Sequence, residues 1–391
     1  MRLASRMQRL PPYLFASIDR RVEQARAAGV DVISLGIGDP DEPTPAAVVE
    51  ALRQSAGLAE HHRYPPYQGT RAFREAVARF FVRRFGVALD PDREVLALIG
   101  SKEGLAHLAW AVMEPGAVAI VPDPGYPVYA AAVELAGGEV WRLRLDPDRG
   151  HLPDLDRIPS EVAARARLLF LNYPNNPTGA VASLAFFEQV VAWARAHDVL
   201  VCHDAAYSEI TFDDRPAPSI LQVPGAGDVA IEMHSLSKSF NMTGWRIGWA
   251  CGHPEAVEAL GRLKTHLDSG VFGAIQAAAV EALDHQEEVT RRMRRLYQRR
   301  RDRVVEALRS MGWPLEPPGG AIYVWAPVPP GWDSIGFAAT LLERAGVVVT
   351  PGVGYGPAGE GYVRLSLTVP DDRLDEALAR WKASGPRYHP T

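Results

Sequence analysis

Between residues 94 and 251 short apolar runs alternate with longer segments whose apolar residues recur every three or four positions. The runs fall at 94–99, 118–121, 140–145, 167–171, 199–203, 229–234 and 247–251. Most are continuously apolar, the pattern of strands in a parallel sheet covered by helices on both faces. The segments between them predict helices. In 184–197, Leu184, Phe187, Val190 and Ala194 share one face, and Ser183 supplies an N-cap. Seven such strands interleaved with helices predict an α/β fold, doubly wound around a mainly parallel seven-stranded sheet. Its active site is expected at the carboxyl ends of the strands.

On either side of this region the pattern changes. A helix is expected from Ser17 to Ala28, closed by Gly29, then a run Val32–Leu35 entering the turn Gly36-Ile-Gly38-Asp-Pro40. The rigid loop Tyr64-Pro-Pro-Tyr67-Gln-Gly-Thr70 precedes a helix carrying Phe73, Val77, Phe80 and Phe81. After residue 270 one long helix is expected from Ile275 to about Met311. Its Met293, Leu296, Val304, Leu308 and Met311 face a core, and the arginines of 291–301 form a wet face. Strands at 321–326, 346–350 and 362–367 and a helix over 370–381 complete a smaller α+β unit. The expected division is a segment 1–45 joining the small domain, a large domain 46–280 and a small domain 281–391.

Composition narrows the function classes. The 391 residues are 47% hydrophobic and 23% charged, with a net charge of −5, which speaks against nucleic acid as a partner. Residues 1–10 hold no continuous apolar stretch of the secretory kind, and no run approaches the roughly 20 apolar residues of a membrane span. Cys202 and Cys251 both sit in apolar runs, as buried free thiols do, and suit a reducing cytoplasm. The histidines show no metal-ligand spacing, and no metal site is expected.

Five segments place polar residues at the ends of expected strands. Gly100-Ser-Lys-Glu-Gly104 opens a helix whose free N–H groups suit a phosphate. In Asp123-Pro-Gly-Tyr126-Pro an aromatic ring could stack on a planar ligand. Asn172-Tyr-Pro-Asn-Asn176-Pro-Thr-Gly179 presents amides, and His203-Asp204-Ala-Ala-Tyr207 a carboxylate suited to a protonated ring nitrogen. The fifth, His234 to Gly248, carries Lys238 among Ser235, Ser237 and Ser239, with Arg246 downstream. A lone loop lysine would be a solvated amine. With four other polar segments converging on it, it becomes a candidate nucleophile.

On these motifs the chain resembles the fold-type-I, pyridoxal-phosphate-dependent aminotransferases of class I/II. The resemblance runs from the Leu35-Gly-Ile-Gly-Asp-Pro40 turn to Arg364. It rests on Asn175-Asn176-Pro-Thr-Gly179, Asp204-Ala-Ala-Tyr207, Ser-Leu-Ser-Lys238 and Gly-Trp-Arg246-Ile-Gly248. It implies that Lys238 bonds to the cofactor and, once released by substrate, moves the proton as general acid–base. Asp204 would hold the pyridine nitrogen protonated, Tyr207 and Asn176 would meet the phenolic oxygen, and Tyr126 would stack on the ring. Ser101, Lys102, Ser235, Ser237 and Arg246 would grip the phosphate. Tyr64 would reach in from a second subunit of a homodimer, and Arg364 would fork the substrate α-carboxylate.

The blocks 99–107, 122–127 and 241–245 look most like those of LL-diaminopimelate aminotransferases and their alanine-aminotransferase relatives. The former make LL-2,6-diaminopimelate from tetrahydrodipicolinate and glutamate, in lysine biosynthesis. That likeness adds Tyr13, Gly38 and Lys102 as substrate contacts, beside Tyr126, Asn176 and Arg364. The plant-type branch carries an acidic residue before its Gln-Gly pair, where this chain has Tyr67. An alanine- or other glutamate-linked transamination is the alternative, and a β-lyase using the same cofactor residues is a further one.

Overall fold

Successive residues of the central strands pack into different cores. Ala119 and Val121 belong to one hydrophobic cluster and Ile120, between them, to another. Leu168 and Phe170 likewise alternate with Leu169 and Leu171. Side chains of a strand alternate between faces, so a strand apolar at every position has both faces covered. The computed structural model describes residues 3–10 and 14–388.

Its strands are β1 (Ile33–Ser34), β2 (Val95–Leu98), β3 (Val118–Asp123), β4 (Glu139–Arg144), β5 (Ala166–Asn172) and β6 (Leu200–Asp204). They continue with β7 (Ala230–Ser235), β8 (Gly248–Gly252), β9 (Tyr323–Pro327), β10 (Val347–Val348), β11 (Thr350–Pro351) and β12 (Tyr362–Ser366). Seven of them form one sheet in the order β2-β8-β7-β6-β5-β3-β4. Only β8 runs antiparallel to its neighbours, so the fold is the mainly parallel α/β sheet expected. The carboxyl ends of β3, β5, β6 and β7 therefore open on one edge. The helix Leu184–His197 starts as expected, with the Ser183 hydroxyl accepting from the Phe186 N–H.

A second core gathers Ile33 and Leu35 from the amino-terminal segment with Leu296, Val304, Val324, Leu365, Leu374 and Trp381. It is flanked by the pair β1-β10 and the three-stranded sheet β11-β12-β9.

Three expectations are corrected here. The helix expected from Ile275 to Met311 is two helices, Gly273–His285 and Glu287–Ser310, meeting at Gln286. The first buries Ala278, Ala279 and Ala282 in the cluster with Phe73 and Phe81, the second buries Met293, Leu296 and Leu308 in the other core. The break lets one stretch of chain serve both.

The arginines of 291–301 are not all wet. Arg300 and Arg301 are buried and paired. Arg300 forks Asp41 at 2.7 and 2.8 Å and also meets Asp371 at 2.8 Å, while Arg301 forks Asp213 at 2.7 and 2.9 Å. Charge alone cannot distinguish a solvated arginine from one whose acid arrives from a distant segment. Finally, the single strand expected at 346–350 is divided at Val349. Val347 and Val348 pair with Ile33 and Ser34, whereas Thr350 and Pro351 pair with β12.

Candidate active site

A cavity of about 460 Å³ opens at the carboxyl edge of the large sheet and is closed on its other side by β9 and β12. Its walls include Gly38, Ser101, Lys102, Tyr126, Asn176, Asp204, Tyr207, Ser235, Ser237, Lys238, Arg246 and Arg364. Twelve of the residues singled out in the sequence thus meet in one place.

Asp204 ends β6 at the cavity floor. Its Oδ2 accepts from the Tyr129 hydroxyl at 2.7 Å and its Oδ1 from the Ala206 N–H at 3.2 Å. Burial pushes its carboxyl above the usual range, against the two donors that favour the ionised form. Such a carboxylate is suited to a cation placed in the cavity. The Asp204 backbone is held as well, because Asn172 Nδ2 donates to its carbonyl at 2.7 Å. The same Asn172 amide accepts the Asn176 N–H at 2.7 Å, while Asn175 caps Thr178. The amide-rich turn after β5 is therefore built around its own side chains, as Asx turns are.

Lys238 lies on the short helix Leu236–Ser239 after β7, whose entry is capped by the Ser235 hydroxyl accepting from the Ser237 N–H. Its amine donates to the Gly38 carbonyl. Burial lowers its pKa, and Arg364 and Arg246 act in the same direction, opposed by Tyr323 and Asp39. The result is an amine readier to be neutral, which nucleophilic attack requires.

Arg246 has a left-handed backbone (φ 56°) and donates to the Thr243 carbonyl at 2.8 Å. A Cβ on Gly100 would stand 2.2 Å from its guanidinium, so glycine at the helix entry makes room for it. Ser101 begins the helix Ser101–Val112, whose amino-terminal end shares this part of the cavity with Ser235, Ser237 and Arg246. Arg364, on β12, is buried, donating to Asn176 Oδ1 at 2.9 Å and to the Gly36 carbonyl at 2.7 Å. Its guanidinium lies 3.9 Å from the centre of the Tyr323 ring.

Some expected residues are elsewhere. Tyr64 is 87% exposed and Tyr67 48% exposed, and neither lines the cavity of this chain. Tyr13 lies outside the described residues. Others were missed. Tyr323, Tyr129 and Asn172 all act in or behind the cavity. Tyr323 and Tyr129 sit in apolar runs that read as core, and only their partners reveal them. Asn172 stood in a quoted segment, where its place at the strand end was the available signal.

Two further clusters combine side chains of the metal-ligand type, Glu232 with His234 and Cys251, and Glu103 with His107 and Asp268. In the first, Glu232 already accepts from His203, His234, the Ser219 hydroxyl and the Ile220 N–H. In the second, the Lys264 ammonium stands 2.9 Å from both Glu103 and Asp268. Internal donors fill both.

A buried carboxylate at the end of β6, a buried lysine of lowered pKa after β7, a helix entry beside Ser235, Ser237 and Arg246, and a buried arginine on β12 thus face one cavity. Residues 30–380 match the family described as aminotransferase class I and II, and the chain belongs to it. It is 56% identical over 380 residues to the LL-diaminopimelate aminotransferase of Moorella thermoacetica, covering 97% of each chain. It is 52% identical over 389 residues to LL-diaminopimelate aminotransferase 2 of Trichormus variabilis, covering 99% of this chain and 100% of that one. Among solved structures, substrate-bound BacF from Bacillus subtilis superposes with a TM-score of 0.95 at 38% identity, covering 98% of each chain.

The protein is a pyridoxal-phosphate-dependent aminotransferase acting on amino acids and 2-oxo acids. The cavity suits that cofactor: the donor end suits a phosphate, the buried Asp204 a pyridinium, and the Lys238 amine a carbonyl carbon. Among the described residues no helix is long and apolar enough to cross a membrane.

Proposed function

We propose that the protein transfers the amino group of glutamate to tetrahydrodipicolinate, forming LL-2,6-diaminopimelate and 2-oxoglutarate in lysine biosynthesis. The observation that carries this reading is the 56% identity to an enzyme of that name over 97% of both chains. The bound cofactor supplies an electron sink for the carbanion formed when the substrate loses its α-proton.

The residues divide the remaining work. Arg364 offers two parallel donors to the substrate α-carboxylate, which orients the Cα–H bond. In this structure those donors rest on Asn176 Oδ1 and the Gly36 carbonyl. Lys238 would hold the cofactor and, once released, carry the proton to and from the α-carbon; burial lowers its pKa, which favours the neutral amine. Asp204 would hold the ring nitrogen protonated, Tyr207 would donate to the phenolic oxygen with Asn176 beside it, and Tyr126 would face the ring. Ser101, Lys102, Ser235, Ser237 and Arg246 would take the phosphate. Gly38, Lys102 and Tyr13 complete the substrate contacts.

The exposure of Tyr64 suits a residue that enters a partner's cavity, and we assign a cytoplasmic homodimer with shared sites. The chain is divided at about 45 and 280, with the amino-terminal segment joined to the small domain. Purified cofactor-loaded protein is mixed separately with LL-diaminopimelate, glutamate, alanine and aspartate, and the cofactor absorbance is followed into its aminated form. Rapid conversion by LL-diaminopimelate and glutamate is expected. Rapid conversion by alanine with none by diaminopimelate would refute the substrate assignment.

A further inference from the structure

Tyr323 belongs to β9, in the three-stranded sheet, 116 residues from Tyr207 in sequence. Yet the two phenol oxygens lie 3.0 Å apart inside the cavity wall. At that distance one proton stands between them, and two phenols bring two protons. Whichever phenol gives its hydrogen to the other leaves the second hydrogen for a different acceptor.

The surroundings of the two differ. Tyr323 lies with its ring 3.9 Å from the Arg364 guanidinium, and its hydroxyl is within the field of the Lys238 ammonium. Burial opposes its ionisation, but Arg364 and Lys238 outweigh burial and hold this phenol below its usual value. Tyr207 is pushed the other way, by burial first and then by Tyr323. A phenol has one hydrogen, so if Tyr207 gives its own to the cofactor, the proton between the two oxygens comes from Tyr323. Gly38 makes the arrangement possible, since a Cβ there would stand 2.1 Å from the Tyr323 hydroxyl.

We propose that Tyr323 is the outer member of a two-phenol relay, donating to Tyr207 while Tyr207 donates to the phenolic oxygen of the cofactor. Tyr323 is then a positioning residue. It fixes the rotor of Tyr207 and, by polarising that hydroxyl, strengthens its donation. A stronger donor at the phenolic oxygen draws off the electron density that would otherwise keep a proton on the nitrogen linking Lys238 to the cofactor. The relay therefore lowers the pKa of that nitrogen. The other ionisable groups whose fields reach the Lys238 amine are Asp39, Arg246 and Arg364, and they are the same in every variant below.

The inference rests on the assignment of Lys238 and Tyr207 proposed above, and the test separates the two. Wild-type protein, Tyr323→Phe, Tyr207→Phe and the double variant are loaded with cofactor. Without substrate, the absorbance of the Lys238–cofactor bond is titrated against pH. Tyr323→Phe is expected to raise the apparent pKa by roughly half a unit, the size of a cooperative increment on one charge-assisted bond. Tyr207→Phe should raise it further, and the double variant should match Tyr207→Phe alone. Gly38→Ala, which displaces the Tyr323 hydroxyl without removing it, should shift the pKa in the same direction as Tyr323→Phe.

A rise with Tyr207→Phe but none with Tyr323→Phe overturns the relay and leaves the Tyr207 assignment standing. Equal increments from Tyr323→Phe in both backgrounds also overturn it, because the effect would not pass through Tyr207. No change with Tyr207→Phe overturns the assignment and the relay together.

Discussion

Two carboxylates buried on adjacent strands have opposite chemistry. Asp204 ends β6 on the cavity side, and Glu232, paired across from His203 on β7, lies in the large domain's interior. Burial raises the pKa of both. For Asp204 burial prevails over the Tyr129 hydroxyl and the Ala206 N–H, and over the more distant His203 and His234. For Glu232 it is overcome, because His203 at 2.7 Å, His234 at 3.1 Å, Ser219 at 2.7 Å and the Ile220 N–H at 2.9 Å all donate to it. Its carboxyl is held far below the usual range. Depth in the protein thus says little about a carboxylate. What faces it decides whether it is a finished structural anchor or one held ready for a cationic ligand.

Breaking the finished member should cost the most stability. Glu232→Gln puts an amide N–H₂ against donors and leaves His203 and His234 without their anion, a loss of about 3–5 kcal/mol in urea unfolding. The half-reaction rate of the folded variant should change little. If stability is unaffected, the contrast fails.

Breaking the other member should reverse the pattern. Asp204→Ala is expected to slow the amino-acid half-reaction about 10²–10³-fold, the scale of a lost charge-stabilising partner, with near-normal unfolding. Stopped-flow absorbance measures it.

The contrast also carries a pH signature. The folded Glu232 pKa is depressed, so the unfolded chain binds more protons in acid. Its stabilisation is complete above the unfolded carboxylate value of 4.5 and is lost as pH falls toward the depressed folded value. Unfolding free energy of the wild type should therefore fall more steeply below pH 5 than that of Glu232→Gln, by up to about 1.4 kcal/mol per pH unit. Parallel acid limbs would contradict the depressed pKa.

The smallest effect belongs to Tyr129→Phe. It removes one donor from Asp204, worth about 1 kcal/mol, and should slow the half-reaction by roughly fivefold, seen in the same stopped-flow traces. A Tyr129→Phe rate equal to wild type would mean that Asp204 is oriented by Ala206 and Asn172 alone.

Much of the site could be read along the chain because each part is local. Lys238 with its capping serines, the Asn172–Gly179 turn and Asp204 at the end of an apolar run all lie at strand ends, where a doubly wound sheet concentrates polar side chains. The helices at 184–197 and 371–384 were legible for the same reason, since an apolar stripe repeats within a few residues. Residues whose partner arrives from afar were not legible. Arg300 reads as a solvated charge until Asp41 is brought to it, and Tyr323 reads as core until Tyr207 and Arg364 are beside it.

By itself, then, the amino-acid sequence determined most of the elements, the large sheet, the class of chemistry and the lysine proposed to react. Periodicity, turn chemistry and motif spacing are short-range properties, written in neighbouring residues. Only the tertiary structure decided that the helix after 273 breaks at Gln286, that Arg300 and Arg301 are buried, that Asp204 and Glu232 differ, and that Tyr323 touches Tyr207. Each of those depends on which groups meet across many residues. Protonation and burial are set by that meeting, since a charge in the interior is stable only with its partners in place.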